Sequence, residues 1–141
     1  MSAKCFLDTN ILVYAHDRSA GEKHKRALEL TENIWTTGNG VISTQVLQEF
    51  CVTVRGKLER PLSLDDTFRV LKQYLAWTVV INSPVAVLHA IEIEARYKLR
   101  FWDALILHAA DVGGADILYS EDFSHGQSYG RVRVVNPFRS S

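Results

Sequence analysis

Residues 6–15, "FLDTNILVYA", place an aspartate where an apolar, strand-like run gives way to a helix-like one. Lys4-Cys5-Phe6-Leu7 suits a short buried strand, and Ile11, Leu12, Tyr14 and Ala15 suit the start of a helix. A strand passing directly into a helix is the unit from which parallel sheets are built. The junction recurs along the chain. "VIS" at 41–43 leads into a helix expected from Thr44 to about Leu58, with Val46, Leu47, Phe50, Cys51 and Val54 as its apolar stripe. "TVVI" at 78–81 leads to Pro84, which fits the first turn of a helix carrying Val85, Leu88, Ile91 and Ala95.

Other helices are predicted between these junctions. Residues 22–36 carry Ala27, Leu28, Leu30, Ile34 and Trp35 among charges, ending before Gly38-Asn39-Gly40. Ser63 with Asp66 opens a helix to about Trp77. A further helix spans about Phe101–Val112 and stops at Gly113-Gly114, and strands follow at 116–120 and 131–135. No strand pair is joined by a tight hairpin turn. The alternation predicts an α/β fold with a central, mainly parallel sheet of about five short strands flanked by helices. A single domain is expected over residues 1–141, a length that buries one substantial core.

Composition excludes several classes. The chain is 47% hydrophobic and 23% charged, with no apolar run near the roughly 20 residues of a membrane helix. No signal peptide is evident at the start, so a cytoplasmic location is expected. Cys5 and Cys51 lie in apolar runs and read as free thiols of a reducing compartment. Sixteen Lys and Arg balance sixteen Asp and Glu, so the global positive field typical of nucleic-acid binders is absent. Local basic clusters remain at 22–26 ("EKHKR"), at 96–100 ("RYKLR") and at Arg131/Arg133; each also reads as a solvated face.

Four acids stand out once the sheet is drawn. Sites in open parallel sheets form beyond the carboxyl ends of strands, where strand order reverses. Asp8 ends the first strand, and Asp122 follows the "ILYS" strand by two residues. Glu49 flanks the apolar stripe of the second strand's helix, and Asp103 stands near the start of the helix bearing Ala104, Leu105 and Leu107. Each has a plainer reading: Asp8 as a helix cap, Glu49 as an exposed helix residue, Asp103 as a first-turn acid favoured by the dipole, Asp122 as a turn residue. Gathered at one sheet edge beside apolar surface, they would repel by about 4 kcal/mol per pair at 4 Å for an effective dielectric near 20. A divalent cation resolves that conflict, and oxygen-only ligands favour Mg²⁺ or Mn²⁺ over zinc. Zinc spacing is absent among His16, His24, His89, His108 and His125, and His89 with Glu92 reads as an exposed helix face. There is no glycine-rich phosphate loop and no G-x-S-x-G elbow.

"FLDTNILVYA", "STQVLQEF", "FWDALILHAA" and "LYSEDFSHGQ", in that order over residues 4 to about 136, resemble the PIN-domain ribonucleases. They are most similar to the VapC-type toxins of toxin–antitoxin modules. The resemblance implies a three-layer fold and cleavage of RNA phosphodiester bonds that depends on Mg²⁺, with Mn²⁺ as substitute. The family's four acids fall on Asp8, Glu49, Asp103 and Asp122, with Thr9, Asn10 and Ser120 as hydrogen-bonding support and Glu121 as the rival of Asp122 for the metal. It also implies a small antitoxin partner, which Trp35, Phe50 or Tyr14 would help to seat, and a homodimer. Lys23, Lys25, Arg26, Arg96, Lys98 and Arg100 are the candidate RNA-binding cations, chosen by clustering.

Two other readings compete. A phosphatase or phosphotransferase would use Asp8 as nucleophile, but such enzymes want an Asp two residues on, where this chain has Asn10. A non-catalytic module, either holding metal for structure or receiving a phosphoryl group as response regulators do, is the second. The receiver version wants a Lys after a later strand, and the loops after 81 and 120 have none.

Overall fold

Beginning at the first strand, the order of strands across the sheet places the site. The computed structural model describes residues 3–139, so residues 1–2 and 140–141 of the expected domain lie outside the described residues. β1 (Cys5–Leu7) runs straight into α1 (Thr9–Ala15), and a short 3₁₀ turn (Arg18–Ala20) leads to α2 (Glu22–Thr37). β2 (Gly40–Ser43), α3 (Thr44–Gly56), α4 (Leu64–Tyr74) and β3 (Thr78–Val80) follow. The second half comprises α5 (Pro84–Tyr97), α6 (Phe101–Val112), β4 (Ile117–Tyr119), β5 (Ser128–Tyr129) and β6 (Val132–Val135).

The sheet order is β3-β2-β1-β4-β6-β5. The first five strands of that order pair parallel, as expected, with Cys5 opposite Gly40 on one side and Ile117 on the other. Strand order reverses at β1 and β4, so the crevice of the switch point opens beyond Leu7 and Tyr119. β1 is buried along its whole length, which is why Cys-Phe-Leu shows no alternation. Gly40 sits where a Cβ would fall 2.6 Å from the Trp77 ring, so only glycine lets β2 start beneath it. The core fills the space between the sheet and its helices with Phe6, Leu7, Ile11, Ile34, Ile42, Phe50 and Leu118, each at most 1% exposed. Cys5 and Cys51 are free thiols. No helix among the described residues is long and apolar enough to cross a membrane.

Three expectations are corrected. A sixth strand is present: β5 pairs antiparallel with β6 through the two residues Gly130-Arg131. Gly130 has φ +61°, the left-handed conformation that a tight hairpin requires. Secondly, the Val85, Leu88 and Ile91 stripe of α5 faces outward, at 56%, 61% and 51% exposure. α5 instead turns Ala86 and Ala90 to α6, where Ala104 and Leu105 meet them, because small side chains let the two helices approach closely. Thirdly, Phe50 is buried in the core against Tyr74 and His16 and lines no open groove for a partner. Trp35 is partly exposed and leans on Tyr74 and Trp77.

Candidate active site

The four acids come from four elements and line one cleft of about 820 Å³ at the switch point. Asp8 follows β1 directly and is 4% exposed. Its two oxygens have separate duties. Oδ1 accepts from the Thr9 amide at 2.7 Å, which makes Asp8 the N-cap of α1, while Oδ2 accepts from the Ser120 hydroxyl at 2.7 Å. The cap and site readings of Asp8 are thus compatible. Burial raises its pKa to about 7, against the pull of the Ser120 and Thr9 hydrogen bonds, and the charges of Asp122 and Glu49 push the same way as burial.

Ser120 joins two of the acids. Its hydroxyl donates to Asp8 and accepts the Asp122 amide at 3.0 Å, fixing the turn after β4. Asn10 Nδ2 donates to Asp122 Oδ2 at 3.0 Å across 112 residues of sequence. Asp122 also titrates above the usual carboxylate range, from burial first and from Asp103 and Glu121 next. Glu121 faces elsewhere. Its carboxylate accepts from the Tyr14 hydroxyl at 2.6 Å and from Lys23 at 2.8 Å, a clamp between the β4 turn and helices α1 and α2. Of the two neighbouring acids, Asp122 is the one that lines the cleft.

Glu49 is held from both sides. Thr9 Oγ1 donates to Oε1 at 2.6 Å, and Gln45 Nε2 to Oε2 at 3.3 Å. Gln45 is the site residue that sequence reading misses; its signal is the spacing of four on one helix, which aims both side chains the same way. Its amide also donates to the Trp102 carbonyl at 3.3 Å, tying α3 to the start of α6. Asp103 stands in the first turn of α6 and accepts from Arg100 Nε at 3.2 Å.

The expected cations are scattered. Among the described residues Arg100 is the one of the six candidates that lines the cleft, where Lys57 is the other cation. Lys23 is bound to Glu121. Arg26 donates to the Pro137 carbonyl, Lys25 is exposed on α2, Arg96 lies against the Tyr97 ring in a separate cleft, and Lys98 ends α5 in a left-handed conformation.

The donor set can be tested against a divalent cation. Among the described residues, no three acidic, histidine or cysteine side chains gather tightly enough to enclose an ion on their own. Mg²⁺ does not ask for that, since it is bound through one or two carboxylates and keeps several waters. Two buried carbonyl oxygens of the cleft, Asn10 Oδ1 and Gln45 Oε1, have no hydrogen-bond partner in the protein, and both are acceptors suited to such waters. The residues fit a hydrated cation.

Fold and site together define an α/β protein with a carboxylate-lined cleft at the switch point of a parallel sheet. The chain belongs to the PIN-domain family, a family of nucleases, whose model matches residues 5–126. Among solved structures it is similar to a toxin–antitoxin complex from Klebsiella pneumoniae, with a TM-score of 0.71 and 19% identity over 97% of this chain and 100% of that one. It is also similar to the sarcin–ricin-loop-cleaving toxin VapC20 of Mycobacterium tuberculosis (TM-score 0.64, 16% identity, 84% of this chain and 90% of that one). DNA-bound VapBC from Salmonella typhimurium is a third (TM-score 0.63, 18% identity, 94% and 97%). At these identities the likeness is one of fold. Comparison with curated proteins gives no match.

Proposed function

We propose that this protein is a Mg²⁺- or Mn²⁺-dependent ribonuclease, acting as the toxin of a cytoplasmic toxin–antitoxin pair. The observation that carries the reading is the convergence of Asp8, Glu49, Asp103 and Asp122 on one cleft, each acid supported from a neighbouring position. Asp8 and Asp103 would hold the cation directly, with Glu49 and Asp122 holding it or its waters. A cation bound there would supply an activated water and neutralise charge on the phosphoryl oxygens. Ser120 and Thr9 keep the Asp8 and Glu49 carboxylates at fixed angles, and Asn10 restrains Asp122, so little reorganisation is left for the reaction. The nucleophile in this reading is water. Asp8 is poorly placed to be one itself, because both its oxygens already accept hydrogen bonds and position 10 offers an amide rather than an acid. A phospho-aspartate trapped at residue 8 would reverse that choice.

The toxin reading draws on the likeness to toxin–antitoxin complexes. A small antitoxin would suit the exposed face of α4, where Leu64, Phe68 and Leu75 lie in line with half-buried Leu71 at the spacing a partner helix needs. The test is sequencing of RNA 5′ and 3′ ends after brief expression, wild type against Asp8→Ala. Discrete new ends in the wild type alone are expected; identical end profiles would overturn the reading.

The outward Val85, Leu88 and Ile91 face of α5 is assigned to a second copy of the chain, the expected homodimer. Leu88→Glu should convert a dimer into a monomer by light scattering while keeping a native far-UV circular-dichroism spectrum, because no core contact is lost and any fall in melting temperature reflects only the lost association. A wild-type monomer, or a variant that stays dimeric, would refute the assignment.

A further inference from the structure

Arg100 occupies a position that its local chemistry disfavours. It is the N-cap residue of α6 and makes no side-chain cap bond, whereas α1, α3, α4 and α5 are capped by Asp8, Ser43, Ser63 and Ser83. Arginine is not among the residues that cap well. A positive charge beside the helix's positive end is unfavourable as well. The pair it makes with Asp103 does not compensate by stabilising the fold: the Arg100 side chain is 78% exposed, and exposed pairs contribute little. Its partner is different in kind. The Asp103 side chain is only 14% exposed, and Arg100 is its hydrogen-bond partner among the described residues.

The surroundings give the guanidinium a use. Asp8, Asp17, Glu49, Asp103 and Asp122 line the cleft against two cations, Arg100 and Lys57. RNA is a polyanion, so a cleft with this balance repels the phosphate it must receive. Arg100 is the cation in direct contact with one of the four converging acids, and it feels the charges of Asp122 and Asp8 in addition. Its bond to Asp103 runs through Nε, so the guanidinium's other N–H groups, which suit phosphate oxygens, are not used by that bond.

We propose that Arg100 is an exchangeable cation of the active site: it pairs with Asp103 in the resting protein and transfers to a phosphate oxygen of the RNA once Asp103 serves a divalent ion. This rests on the ribonuclease reading and adds to it a catalytic residue whose resting contact competes with metal. An exposed, flexible arginine can leave a carboxylate at little cost, which a buried pair could not do.

Two variants test it, Arg100→Gln and Arg100→Lys, each with a metal-binding and a cleavage readout. Titration with Mn²⁺ in the absence of RNA should show Arg100→Gln binding about three- to tenfold more tightly than wild type, the effect of removing one positive charge several ångströms from a divalent ion in a solvated cleft. Arg100→Lys should bind Mn²⁺ within about twofold of wild type, since the charge is kept. Single-turnover RNA cleavage at saturating Mn²⁺ should fall about 10- to 100-fold in Arg100→Gln and recover in part in Arg100→Lys, in keeping with loss of one preorganised donor to the phosphate. Mn²⁺ affinity unchanged or weakened in Arg100→Gln, or cleavage undiminished, overturns the proposal while a wild type that cleaves leaves the ribonuclease reading standing. A wild type that binds Mn²⁺ and cleaves no RNA overturns both.

Discussion

Asp103→Asn is expected to reduce metal-dependent RNA cleavage on the order of 10³-fold while leaving the protein folded. The size follows from what the carboxylate does in the proposed reaction. It supplies charge to an ion that must both bind and stabilise the phosphoryl oxygens, and an amide supplies neither the charge nor the affinity. The fold should be indifferent, because Asp103 sits in the first turn of α6 and its hydrogen bond goes to an exposed arginine. Loss of a first-turn acid costs about 0.5 kcal/mol through the helix dipole. Relief of repulsion toward Asp122 offsets part of that. The measurement is cleavage of an end-labelled RNA by wild type and variant over a range of Mn²⁺, beside thermal melts of both. Cleavage within tenfold of wild type at saturating Mn²⁺ would show that Asp103 is not a metal-holding residue. A collapse of the melting temperature would instead move it into the structural group.

Asp103 and its three companions are readable from sequence for a geometric reason. Asp8 directly follows β1 and Asp122 follows β4 by a short turn, so the two central parallel strands deliver both acids to the switch point, while Glu49 and Asp103 reach it from the helices α3 and α6. The bonds between them are not readable. Asn10 and Asp122 are 112 residues apart, and no periodicity links an amide to one acid rather than another. Glu121 illustrates the same limit: Tyr14 and Lys23 reach it from other elements and engage its carboxylate, while Asp122 lines the cleft. On the fold side, the alternation of strand and helix carries the parallel sheet, but α5 has apolar residues on more than one face. Ala86 and Ala90 are the weaker hydrophobic signal and form the buried face, since closeness of helix packing rewards small side chains. Serine and tyrosine at 128–129 give β5 too short a pattern to stand out, and its register comes from the hairpin with β6.

The final expectation concerns Asp8, where stability and activity should move in opposite directions. In the folded, metal-free protein its carboxyl titrates near 7, chiefly because it is buried; in the unfolded chain it titrates near 4. The folded state therefore holds the proton to higher pH than the unfolded state does. Between about pH 4 and 7 this group makes folding less favourable as pH rises, and the whole cost, about 4 kcal/mol as an upper figure, stands above pH 7. Asp8→Asn removes the titration. The amide can still accept from the Thr9 N–H, but its NH₂ must face the Ser120 oxygen, which already accepts the Asp122 amide. That imperfect match reduces the expected gain to about 1–3 kcal/mol at pH 8. In a chain of this length such a gain appears as a rise of several degrees in melting temperature. At pH 4, where wild-type Asp8 is protonated in the fold, the variant should have lost its advantage. RNA cleavage should fall on the order of 10³-fold or more in the same protein. Metal makes the complementary measurement. In the proposed site the ion displaces the proton on Asp8, so wild-type Mn²⁺ affinity should climb by about tenfold per pH unit below 7 and level off above it. A variant that is less stable than wild type at pH 8 by as much as at pH 4 would show that the buried charge of Asp8 carries no folding penalty, and that its cap bond to α1 dominates.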